Sequence, residues 1–445
     1  MGEARGRPWP RALRRAAAPP CPLLHSRRHH LATLLPPSSL TGRPQVRRQA
    51  QLAGAVEGQA GARAGGARPP RGEGGRPPGR AGAEGPHRGR RDGLKWGSDG
   101  AQPTLVLLSS FPMRPAAAPP RVPGTPIAPG GAPVPPLQRV AAALFKFPPL
   151  LAVGAAKARR MIKEKGLAIG VDVDADAATL AASRDWEKAR AALESPLVSY
   201  PPYYLAPFHC YDGGNLCWDA AWQAYAAAAA VHASVMSPPG SPALRRDGDA
   251  ALRASFSGAA IALMQAAGVD PGALATAVDA GCSVGLSTAE LARAFPSLRR
   301  VTGIDLSPHM LAVAAATAAA GGPEVEWRHA AAEGTRLPPA SADLFSACLV
   351  LHELPAAATE AVVAEASRVL KRGGVLALSD MDSGSPAFAA ILANPAAYAG
   401  FSASEPWLSE YMGVDAAAVV RAAGFEKVAT AQNSPRHFTL VAVKP

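Results

Sequence analysis

The sequence predicts an α/β fold, in which a doubly wound, mostly parallel seven-stranded sheet ends in an antiparallel hairpin and follows a helical cap. Three observations lead to this prediction. From residue 275 onwards, short apolar runs alternate with helix-like stretches, which is the pattern of a parallel sheet covered on both faces. A glycine-rich turn follows the first apolar run. Only a short turn around Pro435 separates the last two runs, so they should form a hairpin.

Each element follows from local signals. Strands are predicted over 275–279, 301–305, 325–328, 344–351, 375–379, 425–431 and 438–443. Helices are predicted over 286–294, 308–319, 356–370 and 414–423, because Pro308 suits a first turn and Gly424 a C-terminal end. Upstream, we expect one or two helices within 140–165 and single helices over 177–192, 219–236 and 250–267. The proline- and glycine-rich segment 200–218 should be an ordered loop.

The chain divides into three predicted regions: a leader over 1–135, a helical and loop extension over 136–268, and a sheet domain over 269–445. The leader is rich in Arg, Pro, Gly and Ala and carries 21 Lys and Arg against 6 Asp and Glu. The remainder carries 25 against 28, a net charge of −3. Because a nucleic-acid-binding body needs its own positive face, no nucleic-acid partner is expected.

The leader resembles an organellar transit peptide, since it is rich in arginine and poor in acids. The alternative is translated upstream sequence, with Met113 or Met161 as the true start. No apolar stretch reaches the length of a membrane-spanning helix, although 140–156 leaves room for a peripheral membrane contact. The five cysteines form no C-x-x-C pair, so no metal site is predicted.

The turn after the first strand reads VDAGCSVGLST, from Val278 to Thr288. A dinucleotide-binding turn needs glycines two and five residues after the first, but Ser283 and Leu286 occupy those places. The sequence therefore excludes a dinucleotide here. Asp279 at the strand end is unfavourable for a polyanion and favourable for a ligand ammonium group.

Five segments resemble, in order, the motifs of class I S-adenosylmethionine-dependent methyltransferases of the methyltransferase type 11-like kind. They are DAGCSVG at 279–285, VTGIDLSP at 301–308, AEGTRLPP at 332–339, SADLF to LVLHELP at 341–355, and RVLKRGG at 368–374. Segment 200–218 is similar to an uncharacterised plant, algal and cyanobacterial subgroup. The resemblance implies a Rossmann-like fold, S-adenosylmethionine as cofactor and a plastid location, with a mitochondrial location, or a cytoplasmic one without the leader, as alternatives.

The resemblance also implies roles for single residues. Asp279 and the turn would hold the methionine end of the cofactor, Asp305 the ribose hydroxyls and Glu333 the adenine. Ser283 replaces a glycine of the commoner members, and it is expected to fit if its φ is negative. The predicted cofactor-binding residues are Asp279, Gly281, Cys282, Ser283, Gly285, Asp305, Leu306 and Glu333.

The predicted function is methyl transfer to a small-molecule acceptor of aromatic, quinone or lipid-like character. His352 and His209 are the candidate general bases, and Tyr211, Asp212 and Glu353 are candidate acceptor contacts. His437, in the terminal hairpin turn, is expected to be exposed to solvent.

Two alternatives stay open. The first is a catalytically silent cofactor-binding scaffold, which would follow if Ser283 blocks the turn. The second is methylation of protein or RNA, and the net charge of the body argues against RNA. The sequence does not identify the acceptor, the methylated atom or the oligomeric state.

Overall fold

The computed structural model describes residues 134–445 except 146, 238–240, 242 and 320. The chain enters the fold through a helical cap. Its helices are α1 Pro136–Phe145, α2 Pro148–Ala168, α3 Val173–Ala181, α4 Trp186–Leu193, α5 Trp218–His232 and α6 Gly248–Ala266, with a 3-10 turn at Pro202–Leu205. None of the described helices is long and apolar enough to cross a bilayer.

The sheet has seven strands in the order β3-β2-β1-β4-β5-β7-β6. Their bounds are β1 Thr276–Ala280, β2 Arg300–Asp305, β3 Glu324–His329, β4 Ala342–Cys348, β5 Leu370–Met381, β6 Glu426–Ser434 and β7 His437–Val443. The first five strands are parallel, and β7 pairs antiparallel with both β5 and β6. The predicted fold class, including the antiparallel hairpin, is therefore confirmed.

Helices cover both faces of the sheet. They are α7 Leu286–Ala294, α8 Pro308–Thr317, α9 Ala356–Val369, α10 Pro386–Leu392, α11 Pro395–Ser404, α12 Leu408–Tyr411 and α13 Ala416–Ala422. Successive strand residues face opposite sides, so Val278 and Phe345 pack with α9 and α13, whereas Ala277 and Leu344 pack with α6 and α7. Burial on both sides explains why the strands read as unbroken apolar runs.

Some predicted bounds of secondary structure were wrong, among them those of the strand over 344–351, which ends at Cys348, and of the helix over 219–236, which ends at His232. The single helix expected over 177–192 is divided into α3 and α4, because the side chain of Asp185 caps a new helix by accepting the backbone N–H of Lys188 at 3.0 Å. The strand expected over 375–379 is longer at both ends. No prediction had been made for the region of α10 to α12. The predicted leader lies outside the described residues except for Val134 and Pro135.

Candidate functional site

A cavity of about 610 Å³ opens at the carboxyl edge of the parallel strands. Its floor is formed by the turn after β1, the end of β2 and the loop after β4. Its walls come from α2, the 200–218 segment, α5, α10, α11 and the turn between β6 and β7. Because β1 lies between β2 and β4, the chain reverses its winding direction here, which is where open α/β sheets bind ligands.

The turn after β1 is tightly constrained. Gly281 has φ +68° and Gly285 has φ +88°. A Cβ atom at Gly281 would lie 2.7 Å from Val350 Cγ2, and one at Gly285 would lie 2.8 Å from the Trp327 ring. Both positions therefore need glycine for backbone conformation and for space. Gly281 lines the cavity, while Gly285 lies behind it at the start of α7.

Ser283 departs from the expectation. Its φ is +47° rather than negative, so it adopts the left-handed conformation that glycine would adopt at less cost. Its backbone N–H donates to Asp305 Oδ2 at 2.8 Å, and its hydroxyl lies 3.6 Å from Met310 Sδ. Like its neighbour Cys282, it lines the cavity.

Asp305 ends β2 and presents its carboxylate to the cavity. Its other oxygen accepts the backbone N–H of Ser307 at 2.7 Å, and Tyr204 Oη lies 3.4 Å away. Burial raises the pKa of Asp305, and the N–H donors oppose that rise. Ser307 caps the next helix, because its hydroxyl accepts from Met310 N at 3.2 Å.

Asp279 lies beneath the turn rather than on the cavity wall, and it is fully buried. Thr288 donates to its Oδ2 at 2.6 Å. Its Oδ1 has no hydrogen-bond partner among the described residues. Burial raises the pKa of Asp279 to about 7, although the Thr288 hydrogen bond and the charge of Arg253 oppose the rise.

Glu333 lines the cavity beside Leu306. The hydroxyl of Tyr203 donates to Glu333 Oε1. Burial and this hydrogen bond raise the pKa of Tyr203, so the phenol stays protonated and remains a donor. Tyr203 belongs to the 200–218 segment, which therefore closes over this part of the cavity.

Two histidines and several acids meet beyond the end of β4. His352 Nδ1 lies 2.7 Å from Asp380 Oδ1. His209 Nε2 lies 3.3 Å from Glu405 Oε1 and 3.7 Å from Glu353 Oε1. These side chains form what we call the acidic wall of the cavity.

The pKa values of the acidic wall decide which group can take a proton. Burial alone would lower the pKa of His352, but Asp380 raises it to about 10. Burial raises the pKa of Glu353 to about 7, opposed by His209 and His352. At neutral pH His352 is therefore protonated, and Glu353 is the group whose pKa suits a base.

Of the two remaining predicted acceptor contacts, one lines the cavity and the other does not. Tyr211 lines the cavity, and its hydroxyl donates to Gln223 Oε1 at 2.8 Å. Asp212 is exposed and does not line the cavity. The structure thus brings together most of the predicted residues, and it leaves Asp279, Gly285 and Asp212 off the cavity surface.

Five basic residues on the cavity were not predicted as site residues, namely Lys165, His232, Arg253, Arg436 and His437. The expectation that His437 is exposed was wrong, because only 5% of its surface is accessible. The β6–β7 turn points to the carboxyl edge of the parallel strands, since His437 pairs with Met381 at the end of β5. The sequence analysis predicts an antiparallel hairpin at the end of the sheet. A strand that runs antiparallel to β5 begins at the carboxyl edge of the parallel strands, so this prediction could have placed His437 near the cavity.

Part of the chain is similar in sequence to known proteins. Residues 277–374 match the family described as a methyltransferase domain. A trans-aconitate 2-methyltransferase of Azoarcus sp. is 41% identical over 104 residues, which is 23% of this chain and 38% of that protein. The chain therefore matches well under half the length of this curated relative.

Similar solved structures bear related names. The S-adenosylmethionine-dependent methyltransferase SibL is 25% identical, with 42% of this chain and 54% of that chain covered and a TM-score of 0.33. The magnesium protoporphyrin IX methyltransferase of Synechocystis is 20% identical, with 44% and 84% covered and a TM-score of 0.33. A protein of Bacillus halodurans described as a methyltransferase is 20% identical, with 41% and 97% covered and a TM-score of 0.31.

Proposed function

We propose that residues 277–374, which match a methyltransferase domain, belong to a class I S-adenosylmethionine-dependent methyltransferase that methylates a small molecule held in the cavity. The observation that carries the proposal is that Gly281, Ser283, Asp305 and Glu333 line the same cavity as His209, His352 and Glu353 of the acidic wall. The cavity volume falls within the usual range for small-molecule sites.

The residues present fit the cofactor. Asp305 would accept hydrogen bonds from the ribose hydroxyls, since a carboxylate has two acceptor oxygens for two donors. Glu333 would face the adenine, and the Gly281 turn would face the methionine end. Asp279 lies beneath this turn with its Oδ1 unpartnered among the described residues, so its carboxylate would favour a positive charge bound at the turn above it.

Arg253 adds a basic group beside the turn. Its guanidinium donates to Asp249 Oδ2 at 2.9 Å and also to the Ser287 hydroxyl in the first turn of α7. Within the proposal, Arg253 and this helix start are the groups that face the carboxylate of the methionine end.

When bound, S-adenosylmethionine supplies an electrophilic methyl group, so the main demand on the protein is alignment of the acceptor. For a hydroxyl or ring-carbon acceptor, we assign Glu353 as the residue that takes the proton. His209 holds Glu353 in place, and the protonated His352 supports a negative charge developing nearby. The assignment of Glu353 as the base replaces the sequence-based candidates, His352 and His209.

We infer the chemical class of the acceptor from the side chains that line the cavity. Phe388, Ile391 and Phe401 give the wall formed by α10 and α11 an aromatic and aliphatic lining, which supports an aromatic or lipid-like skeleton. The name of the Azoarcus relative adds small carboxylates to the candidates. A plastid location, and a peripheral membrane contact through exposed Leu137, Val140 and Leu144 of α1, remain parts of the proposal.

The decisive experiment is calorimetric titration of the protein with S-adenosylmethionine. The Asp305→Asn and Asp305→Ala variants should lose about 10- to 150-fold in affinity, the effect of about 1.5–3 kcal/mol for hydrogen bonds to a charged group. Asp270→Ala, which removes an exposed acid at the far end of the sheet, is the matched control. Wild-type protein that ignores the cofactor would refute the proposal.

The left-handed φ of Ser283 is the observation that favours the silent scaffold, the second candidate. Ser283→Gly distinguishes the two in the same titration. If the serine obstructs the turn, cofactor affinity should rise at least about tenfold on substitution. An unchanged affinity would remove steric obstruction as a reason for silence.

A further inference from the structure

Two cations line the cavity without a counter-ion. Lys165 projects from the last turns of α2, and Arg436 belongs to the turn between β6 and β7. Across the part of the chain that the structure describes, neither side chain takes part in an ion pair or a hydrogen bond. Both are only partly exposed, so water compensates their charges incompletely.

The two cations also lie close enough to disfavour each other. Burial lowers the pKa of Lys165, and the charge of Arg436 lowers it further. Burial lowers the pKa of Arg436 as well, and no carboxylate opposes that shift. An unpaired pair of like charges in a partly buried site is unfavourable for folding, and a bound anion would relieve that cost.

The other basic side chains of the cavity have partners among the described residues, with His232 held by Asp249 and His437 by Ser434. Arg253 is bound to Asp249. Glu353 and Glu405 face His209, and Asp380 faces His352. Lys165 and Arg436 are therefore the cavity-lining cations without a side-chain partner among the described residues, and they form what we call the basic clamp.

We propose that the basic clamp, Lys165 and Arg436, binds a carboxylate or phosphate group of the methyl acceptor. The inference rests on the proposed methyltransferase function and adds the substrate class. An ammonium and a guanidinium converging from two elements form charge-assisted hydrogen bonds with such an anion. The acceptor would then lie with its anionic end on the clamp and its reacting atom near Glu353.

The cofactor also has a carboxylate, at its methionine end. In the proposal that end faces the glycine turn, and the basic clamp is not the group nearest to this turn. Arg253 contacts Ser287 in the first turn of α7, directly after the glycine turn. Lys165 and Arg436 come instead from α2 and the terminal hairpin, which also supply cavity residues Met161, Ile162 and His437. The clamp is accordingly assigned to the acceptor.

The test uses the full-length protein saturated with S-adenosylhomocysteine at neutral pH, followed by calorimetric titration with anions. The probes are citrate, inorganic phosphate and trans-cinnamate, with trans-cinnamamide as the uncharged counterpart of the last. The variants are Lys165→Met and Arg436→Met. Lys157→Met is the matched control, because Lys157 is an exposed residue of the same helix that does not line the cavity.

We expect at least one of the three anions to bind wild-type protein, and each clamp variant to weaken that binding about tenfold or more. Cinnamamide should not bind, Lys157→Met should behave as wild type, and the affinity for S-adenosylhomocysteine should stay within about twofold in all variants.

Three outcomes would overturn the inference. They are no binding of any of the three anions up to about 10 mM, a Kd that corresponds to very weak association; equal anion affinity in wild type and clamp variants; or a loss of S-adenosylhomocysteine affinity in the clamp variants, which would assign the clamp to the cofactor carboxylate. Failure of the methyltransferase proposal is recognised separately, since wild-type protein would then not bind S-adenosylhomocysteine in the first step.

Discussion

Asp279 is the residue whose charge depends most on what occupies the turn above it. Its carboxylate has one oxygen satisfied by Thr288 and one without a partner among the described residues. With a pKa of about 7, close to half of the molecules carry a proton on this side chain at neutral pH. A cation placed against the free oxygen would favour the charged form and lower this pKa.

Cofactor binding should therefore release protons from Asp279. We expect about half a proton per molecule to be released at pH 7, and almost none about two pH units higher, where the carboxylate is already charged. Calorimetry in buffers of different ionisation enthalpy measures the number. Asp279→Asn should remove this release and Asp343→Asn, at the opposite end of the strands, should not. Identical proton release in wild type and Asp279→Asn would show that no cation reaches this carboxylate.

The pair of His352 and Asp380 should make stability depend on alkaline pH. The pKa of His352 rises from its ordinary value of 6.5 to about 10 on folding, since Asp380 outweighs the effect of burial. Its contribution to the free energy of unfolding is thus complete below pH 6.5 and is lost as the pH rises through about 10.

The check is urea unfolding of wild type and His352→Gln across this pH range. The stability advantage of the wild type should shrink steadily from neutral to alkaline pH. Asp380→Asn should abolish the same pH dependence, because the histidine then has no reason to keep its proton. A constant difference between wild type and His352→Gln would contradict the assigned protonation state.

Single residues of the site were predictable where a strand end fixes their place. Asp305, Glu333 and His352 follow strands whose apolar runs are legible, and all three line the cavity. The protonation of His352 was not predictable, because Asp380 lies 28 residues away on β5. Its partner could be known only once β4 and β5 were known to be neighbours.

At the scale of elements, α6 offers a matched pair of glycines. A Cβ atom at Gly248 would lie 2.2 Å from the carbonyl oxygen of His232, so the start of α6 approaches the end of α5 too closely for any side chain. A Cβ atom at Gly258, in the middle of the same helix, would meet nothing within 4 Å. The two positions therefore separate packing from helix propensity.

Gly248→Ala should lower the free energy of unfolding by about 1–3 kcal/mol through overpacking. Gly258→Ala should raise it by about 0.5–1 kcal/mol, because alanine loses less backbone entropy in a helix. Urea or thermal unfolding measures both. If Gly248→Ala raised the free energy of unfolding as Gly258→Ala is expected to do, the close approach of α5 and α6 would be refuted.

The terminal hairpin shows where prediction of elements stopped. Both strands were predicted, but the turn was treated as a surface feature. In the structure β7 pairs with β5, which returns Arg436 and His437 to the ligand-binding edge. The pairing partner of a strand depends on sheet order, and local sequence patterns do not contain that order.

At the scale of the whole molecule, the alternation of apolar runs and helices was sufficient for the fold class, while the cap was only partly predictable. Its helices were largely anticipated, but their packing against the sheet was not. The alanine-rich face of α5, including Ala224, Ala227 and Ala228, lines the cavity. Alanine gives no strong hydrophobic periodicity, so the sequence of α5 predicts a helix without indicating which of its faces lines the cavity.

The cavity walls come from distant parts of the chain. Lys165 and Arg436 are 271 positions apart, and the glycine turn lies between them in sequence. No partly unfolded form that releases either the cap or the hairpin can keep the cavity intact. A ligand at 100 times its Kd would thus add about 2.7 kcal/mol against every such opening as well as against global unfolding. Ligand binding should therefore slow proteolysis at the cap and at the hairpin together. The bound small molecule then stabilises the two segments against local unfolding, although they are far apart in sequence.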